Sequence, residues 1–341
     1  MLPWLTNDRF PLYLAPMAGV TDMVFRGMCK ELGADVMVTE FVSAEGILQR
    51  DDRTRHYTEF DDVQRPLGVQ LFGADGVRMG EAARKIIDWK QPDFIDINFG
   101  CPVNKVVSKN GGSSLLKDCP LLKSVAAEVA KAVPVPVTAK MRIGWDAQHV
   151  NAVEVARILE DCGIQAIAVH GRTRAQGYTG LADWDVIGQV ADAVKIPVIG
   201  NGDIASGIDV EVRRAQTNVR GIMIGRAAMT NPWVFREAKH YLATGEHAKP
   251  ASIEDRFHFM RRHCVAAIAH DGRGREFEIL RSMRNRLMNY TKSIPGGKWL
   301  RQHFSQVSSL MQLDDILAAY FRHQEELAHA PEAGAPAPLP V

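Results

Sequence analysis

The 341 residues are 46% hydrophobic and 24% charged with a net charge of +1, the make-up of a globular protein with room for one large domain or two unequal ones. No apolar run approaches the roughly 20 residues that span a bilayer, and the opening MLPWLTNDRFPLYLAPM lacks a basic start and a sustained apolar stretch, so a cytoplasmic protein with no membrane partner is expected. Five scattered cysteines, with no C-x-x-C pair and no cysteine-histidine cluster, argue against a disulfide framework, a zinc site, a cysteine-ligated iron-sulfur cluster or any other metal centre.

Eight short apolar, β-branched segments follow one another along the chain: YLAPM at 13–17, VMVTE at 36–40, LGVQLF at 67–72, FIDIN at 94–98, VPVTAKM at 135–141, IQAIAVH at 164–170, IPVIGN at 196–201 and RGIMIG at 220–225. Continuous apolar strands of this kind are buried on both faces, as in parallel sheets. Between them lie amphipathic stretches such as DMVFRGMCKELG, DCPLLKSVAAEVAKAV, NAVEVARILEDCG and DWDVIGQVADAV, each ending near Gly or Pro. Eight such units over about 235 residues match the size of a TIM (β/α)₈ barrel. The doubly wound alternative usually carries a G-x-G-x-x-G turn, and none is present.

After residue 250 only helical patterns remain, expected near 252–271, 277–292, 297–309 and 313–328, followed by the Ala/Pro tail APEAGAPAPLPV. The expected layout is a barrel over 1–248, a small all-helical C-terminal domain over 249–328 and a disordered tail over 329–341. Lys249 to Leu310 holds twelve Lys and Arg against five acids, an excess of seven positive charges that leaves the rest of the chain negative. A polyanion is the partner that such a concentration suits.

A TIM barrel carries its chemistry at the C-terminal ends of its strands. Polar residues end most of these segments: Gln70 on the third, Asn98 and then Cys101 on the fourth, Lys140 and Arg142 on the fifth, His170 and Arg172 on the sixth, Asn201 and Asp203 on the seventh, Gly225 and Arg226 on the eighth. A buried lysine costs several kcal/mol unless a charge or ligand pairs it, so six strands sharing the pattern point to function. The glycine turns GNGDI and IGRAA stand where such barrels build phosphate sites, and Arg226 adds a charged donor. FMN suits the set better than a sugar phosphate: APMAG could line its ring system, Gln70 could bond the polar edge, and Lys140 could lie by its N1/O2 side. Cys101, in a glycine-bracketed loop, suits a general acid, whereas Cys29, Cys119, Cys162 and Cys264 read as buried small apolar residues.

DINFGCP, TAKMRIGW, AVHGRTR, NGDI and MIGRAA, in this order behind APMAG, resemble the tRNA-dihydrouridine synthase family over about residues 10 to 325. The resemblance implies an FMN enzyme, reduced by NADPH, that converts uridine in tRNA to 5,6-dihydrouridine. By it, Pro16, Met17, Ala18, Gln70, Lys140, His170, Asn201, Gly202, Asp203, Gly225 and Arg226 would hold FMN. Cys101 would protonate C5 and Asn98 would contact the uracil, with Arg142, Arg172 and Arg174 also on the substrate side. HGRTR and NPWVFRE are most similar to the B-type bacterial branch, which modifies position 17 of the D-loop, and a monomer acting on that region of tRNA is expected. Three other readings stay open: an FMN-dependent reductase or dehydrogenase of a free pyrimidine, a flavin-free lyase or aldolase with a Schiff base at Lys140, and a tRNA-binding module with a vestigial barrel. The basic helical domain speaks against the first, since a small substrate gives no reason for it.

Overall fold

The computed structural model describes residues 2–6, 9–49, 52–102 and 111–329, and the chain divides into two compact units, Met1–Pro250 and Ala251–Val341. In the first unit nine strands form one parallel sheet: β1 (Leu12–Leu14), β2 (Val36–Val38), β3 (Val42–Ser43), β4 (Leu67–Phe72), β5 (Phe94–Phe99), β6 (Val137–Arg142), β7 (Ala166–His170), β8 (Val198–Asn201) and β9 (Gly221–Ile224). Pairing of β1 with both β2 and β9, and of β2 with β4, closes eight of them into a barrel. The two-residue β3, not anticipated in the sequence, lies farther along β4, opposite Leu71 and Phe72.

Helices alternate with the strands: α1 (Met23–Glu31), α2 (Ala44–Leu48), α3 (Asp52–His56), α4 (Gly76–Lys90), α5 (Cys119–Ala132), α6 (Ala152–Asp161), α7 (Trp184–Ala193), α8 (Gly207–Gln216), α9 (Arg226–Thr230) and α10 (Val234–Thr244). Side-chain caps set where several begin. Asp22, Asp75, Asp118, Asp183 and Ser206 each accept the backbone N–H three residues on, satisfying a donor that the first helical turn leaves open.

The lower lumen is filled rather than hollow. Tyr13, Val36, Val38, Phe94, Ala166, Ala168, Ile199 and Met223 form one buried cluster with Leu2, Trp4 and Leu5. The segment before β1 therefore plugs the N-terminal end of the barrel: Trp4 packs on Phe94 at 5.0 Å between ring centroids and donates to Tyr13 Oη at 2.9 Å. Gly68 makes room for Phe94, since a Cβ there would lie 2.1 Å from its ring. Filling one end leaves the other, where the strands finish, as the place for chemistry.

In the second unit the described residues form four helices and no strand: α11 (Ile253–Asp271), α12 (Glu276–Tyr290), α13 (Gly297–Phe304) and α14 (Leu310–His329). Two boundaries differ from the sequence expectation. The third helix stops at Phe304, and the fourth starts at Leu310 because Ser309 Oγ accepts from Gln312 N at 3.1 Å while Gln312 Oε1 takes Ser308 N at 3.0 Å. Phe257 against Tyr320, and Phe259 against Tyr290, tie the helices together. Much of the positive charge is occupied at home. Arg261 pairs with Asp314 at 2.7 Å, Arg275 pairs with Asp271, and Arg284 donates to the carbonyls of Val307 and Gln306 at 2.8 and 2.9 Å. Residues 330–341, most of the tail expected to be disordered, lie outside the described residues.

Candidate active site

Strand register brings the polar strand ends side by side. Gln70 lies opposite Asp96, Asp96 opposite Thr138, and Asn98 opposite Lys140; one layer higher, Arg142 faces His170 and His170 faces Asn201. Because side chains alternate along a strand, Asp96 and Asn98 share the inner face of β5 with Phe94, while Thr138, Lys140 and Arg142 share that of β6.

Each sequence-derived candidate has a definite place. Asn98 donates to Gln70 Oε1 at 2.8 Å and accepts the amides of Gly100 and Cys101 at 3.0 and 2.8 Å. Cys101 is buried, and its carbonyl accepts from Ser113 Oγ at 2.8 Å; residues 103–110 of its loop lie outside the described ones. Pro16 and Met17 are half-buried and Ala18 exposed, at the top of β1. Their loop is tied by Met17 N to Thr21 Oγ1 at 2.9 Å and by Gly19 N to Glu40 Oε2 at 2.7 Å.

Burial, and then Arg142, pull the Lys140 ammonium from its ordinary 10.5 to about 8, with Asp96 and Cys101 opposing. Burial together with Lys140, Arg142, Arg172 and Arg226 drives His170 down to about 2, so its imidazole is neutral. Asn201 donates to Met223 O at 2.7 Å, bracing the last two strands. Gly202 has φ of +131°, and a Cβ there would lie 2.5 Å from Ala182 Cβ and 3.3 Å from His170 Cδ2, so only glycine suits the position. Asp203 takes Nη2 of Arg172 at 2.8 Å and Nη2 of Arg226 at 2.9 Å on one oxygen, and Ala182 N at 2.7 Å on the other. Gly225 leads directly into α9, and a Cβ there would stand 3.5 Å from Ala15 Cβ and 3.6 Å from Met17 Sδ.

Not every candidate faces the centre in the same way. Arg142 spends donors on the carbonyls of Gly100, Thr173 and Gly177, tying the loops above β5 and β7 together. Arg172 is buried, donates to Thr179 and Gly180 carbonyls and to Asp203, and keeps Nη1 without a partner among the described residues. Arg174 stands apart, with its guanidinium over the Trp145 ring at 4.6 Å. Cys119 and Cys162 are only half-buried, unlike Cys29 and Cys264, which corrects their reading as buried apolar residues: both sit at helix ends, where one side meets solvent.

Three residues escaped the sequence reading. Asp96 had a signal, a carboxylate within the apolar FIDIN run two residues before Asn98 and hence on its face. Glu40, closing VMVTE, had a weaker one. Tyr178 had none: it lies in the loop after β7, exposed, with Arg226 5.0 Å and Arg142 5.7 Å from its ring centre.

A closed parallel barrel, plugged at one end and gathering cations, carboxamides and a thiol at the other, defines a barrel enzyme. The chain belongs to the dihydrouridine synthase family, whose model, "Dihydrouridine synthase (Dus)", matches residues 13–325. It is thus an oxidoreductase of the kind that acts on uridine in tRNA. Among similar proteins, tRNA-dihydrouridine synthase B of Pseudomonas putida is 41% identical over 318 residues, 93% of either chain. That of Pseudomonas aeruginosa is 42% identical over 305 residues, 89% of this chain and 90% of the relative. The Salmonella typhimurium protein of the same name is 38% identical over 315 residues, 92% of this chain and 97% of the relative.

Proposed function

We propose that the protein reduces a D-loop uridine of tRNA to 5,6-dihydrouridine, with FMN held at the strand ends and NADPH as reductant. The observation that carries the cofactor reading is electrostatic. Arg172 and Arg226 share the single carboxylate of Asp203 beside neutral His170, leaving positive charge in excess at the glycine turns. A phosphomonoester dianion suits that excess, and Arg172 Nη1, buried with no acceptor among the described residues, is a donor suited to one. The glycine positions 202 and 225 allow close backbone approach, with Arg226 beside them.

The chemistry that FMN would supply there, once reduced by NADPH, is a hydride for uracil C6. The other steps fall to the chain. Lys140 is an ammonium at neutral pH and would stabilise negative charge on the pyrimidine edge of the cofactor. Asn98, with one amide hydrogen given to Gln70, has a second for a uracil carbonyl. Cys101 would deliver its proton to C5 as charge builds there, and solvent would restore the thiol. The target nucleotide must leave its stack to reach the barrel, at a cost of a few kcal/mol that phosphate contacts to the basic helical unit would offset.

The test is direct. Purified protein should carry non-covalent FMN that bleaches anaerobically with NADPH and regains colour on addition of unmodified tRNA, with dihydrouridine appearing in the D-loop. Release of FAD, recolouring with free uracil but not with tRNA, or unchanged dihydrouridine in tRNA from cells lacking the gene would overturn the reading.

A further inference from the structure

A chain of hydrogen bonds runs from the middle of the barrel to the Cys101 turn. Asp96 Oδ2 accepts from Gln70 Nε2 at 2.6 Å, Gln70 Oε1 accepts from Asn98 Nδ2 at 2.8 Å, and Asn98 Oδ1 accepts the amides of Gly100 and Cys101. All three side chains are buried. A carboxamide has nearly the same shape in its two flipped states, so packing barely distinguishes them. Hydrogen bonding does. An ionised carboxylate only accepts, so Gln70 must turn its nitrogen toward Asp96 and its oxygen toward Asn98. Asn98 must then turn its nitrogen toward Gln70 and its oxygen toward the loop. Reversing either amide would set donor against donor in a buried site.

We propose that Asp96 is a positioning residue: acting through Gln70 and Asn98, it fixes the turn at Gly100 and Cys101 and thereby the place of the Cys101 thiol. The ionised form that this role needs has its own support. Both carboxylate oxygens accept, Oδ2 from Gln70 and Oδ1 from Thr138, as an ionised group does; burial raises the Asp96 carboxyl above its ordinary value, and these two donors and the Lys140 charge oppose that rise. The catalytic consequence rests on the reading of Cys101 as proton donor, whereas the geometry of the turn can be tested without it.

The experiment compares the full-length wild type with Asp96→Asn, Gln70→Met and the double variant. Asp96→Asn removes the acceptor-only anchor, and Gln70→Met cuts the chain while leaving the counter-charge of Lys140 in place. Two quantities are read: the pH profile of Cys101 alkylation by iodoacetamide, followed by peptide mass spectrometry with and without flavin, and kcat and KM with tRNA. Either single change should alter Cys101 alkylation several-fold and lower kcat about tenfold with KM for tRNA nearly unchanged, and the double variant should be no worse than the singles, the mark of groups acting in series. Effects that multiply in the double variant overturn the proposal, as does an effect of Asp96→Asn without one of Gln70→Met, which would make Asp96 only a counter-ion. Unchanged alkylation in every variant overturns it as well. If Asp96→Asn does not fold, Gln70→Met still reads the chain by alkylation. Should Cys101→Ala keep full activity while the alkylation coupling persists, the positioning chain stands and the proton-donor reading falls.

Discussion

Arg226 reaches the barrel mouth with its guanidinium already aimed: Nη2 lies 2.9 Å from Oδ1 of Asp203. Although burial raises it, the Asp203 carboxyl is held below its usual range by the Ala182 amide and the Arg172 and Arg226 guanidiniums. Asp203→Asn should weaken FMN binding by about tenfold, the order of one charge-assisted hydrogen bond. Asparagine is the suitable replacement because φ at this position is +53°, which Asn tolerates better than Ala. Flavin fluorescence titration of apoprotein checks it, and an unchanged Kd would show that Arg226 needs no aiming.

Cys101→Ala should leave FMN binding and its reduction by NADPH nearly intact while slowing reoxidation by tRNA by about 10² to 10⁴, the span of general acid catalysis. Rapid mixing of reduced enzyme with unmodified tRNA separates the two half-reactions. Wild-type reoxidation in the variant would transfer the acid role to another group, the Lys140 ammonium. Cys29→Ala is the stability control, since Cys29 is fully buried, whereas Cys162→Ala should change little.

In the helical unit, Arg284 already spends Nε and Nη2 on the Val307 and Gln306 carbonyls, which ties it to structure first. Arg281, Lys292 and Lys298 are exposed. Replacing these three together by Ala should flatten the dependence of log affinity for tRNA on log salt by about two to three units, at roughly 0.7 to 0.9 per lost contact. Arg284→Ala should instead lower the melting temperature and leave the slope alone. A slope insensitive to the triple change would locate the tRNA contacts elsewhere.

Lys140 makes stability depend on pH in a predictable direction. Its folded pKa, about 8, lies below the ordinary 10.5, so between these values the unfolded chain binds the extra proton and stability rises with pH. Below pH 8 both states are protonated and the burial cost is present in full. The rise is at most about 3 kcal/mol, and less where the ammonium keeps contact with water. Denaturant titrations of flavin-free protein at pH 7.5 and 10 should show this gain in the wild type and its loss in Lys140→Met; an equal gain in both would assign it to other groups.

Much of this molecule is legible in its sequence. Eight apolar runs separated by amphipathic stretches with Asp and Ser caps specify a barrel, because hydrophobic periodicity and capping are local properties. The polar ends of those runs name most of the groups gathered at the candidate site for the same reason: a charge within an apolar strand is conspicuous wherever the strand goes. Only the tertiary structure decided how those groups share their hydrogen bonds. That Asp203 serves Arg172 and Arg226 at once, that Asp96 lies beside Gln70, and that Arg142 joins two loops follow from strand register across residues distant in the chain. Tyr178 came into view only when the loop after β7 placed it between Arg142 and Arg226. Composition counts the cations of the helical unit, but pairing in space determines which are spent on neighbouring carboxylates and carbonyls, because a hydrogen bond depends on distance and direction, which a linear sequence does not contain.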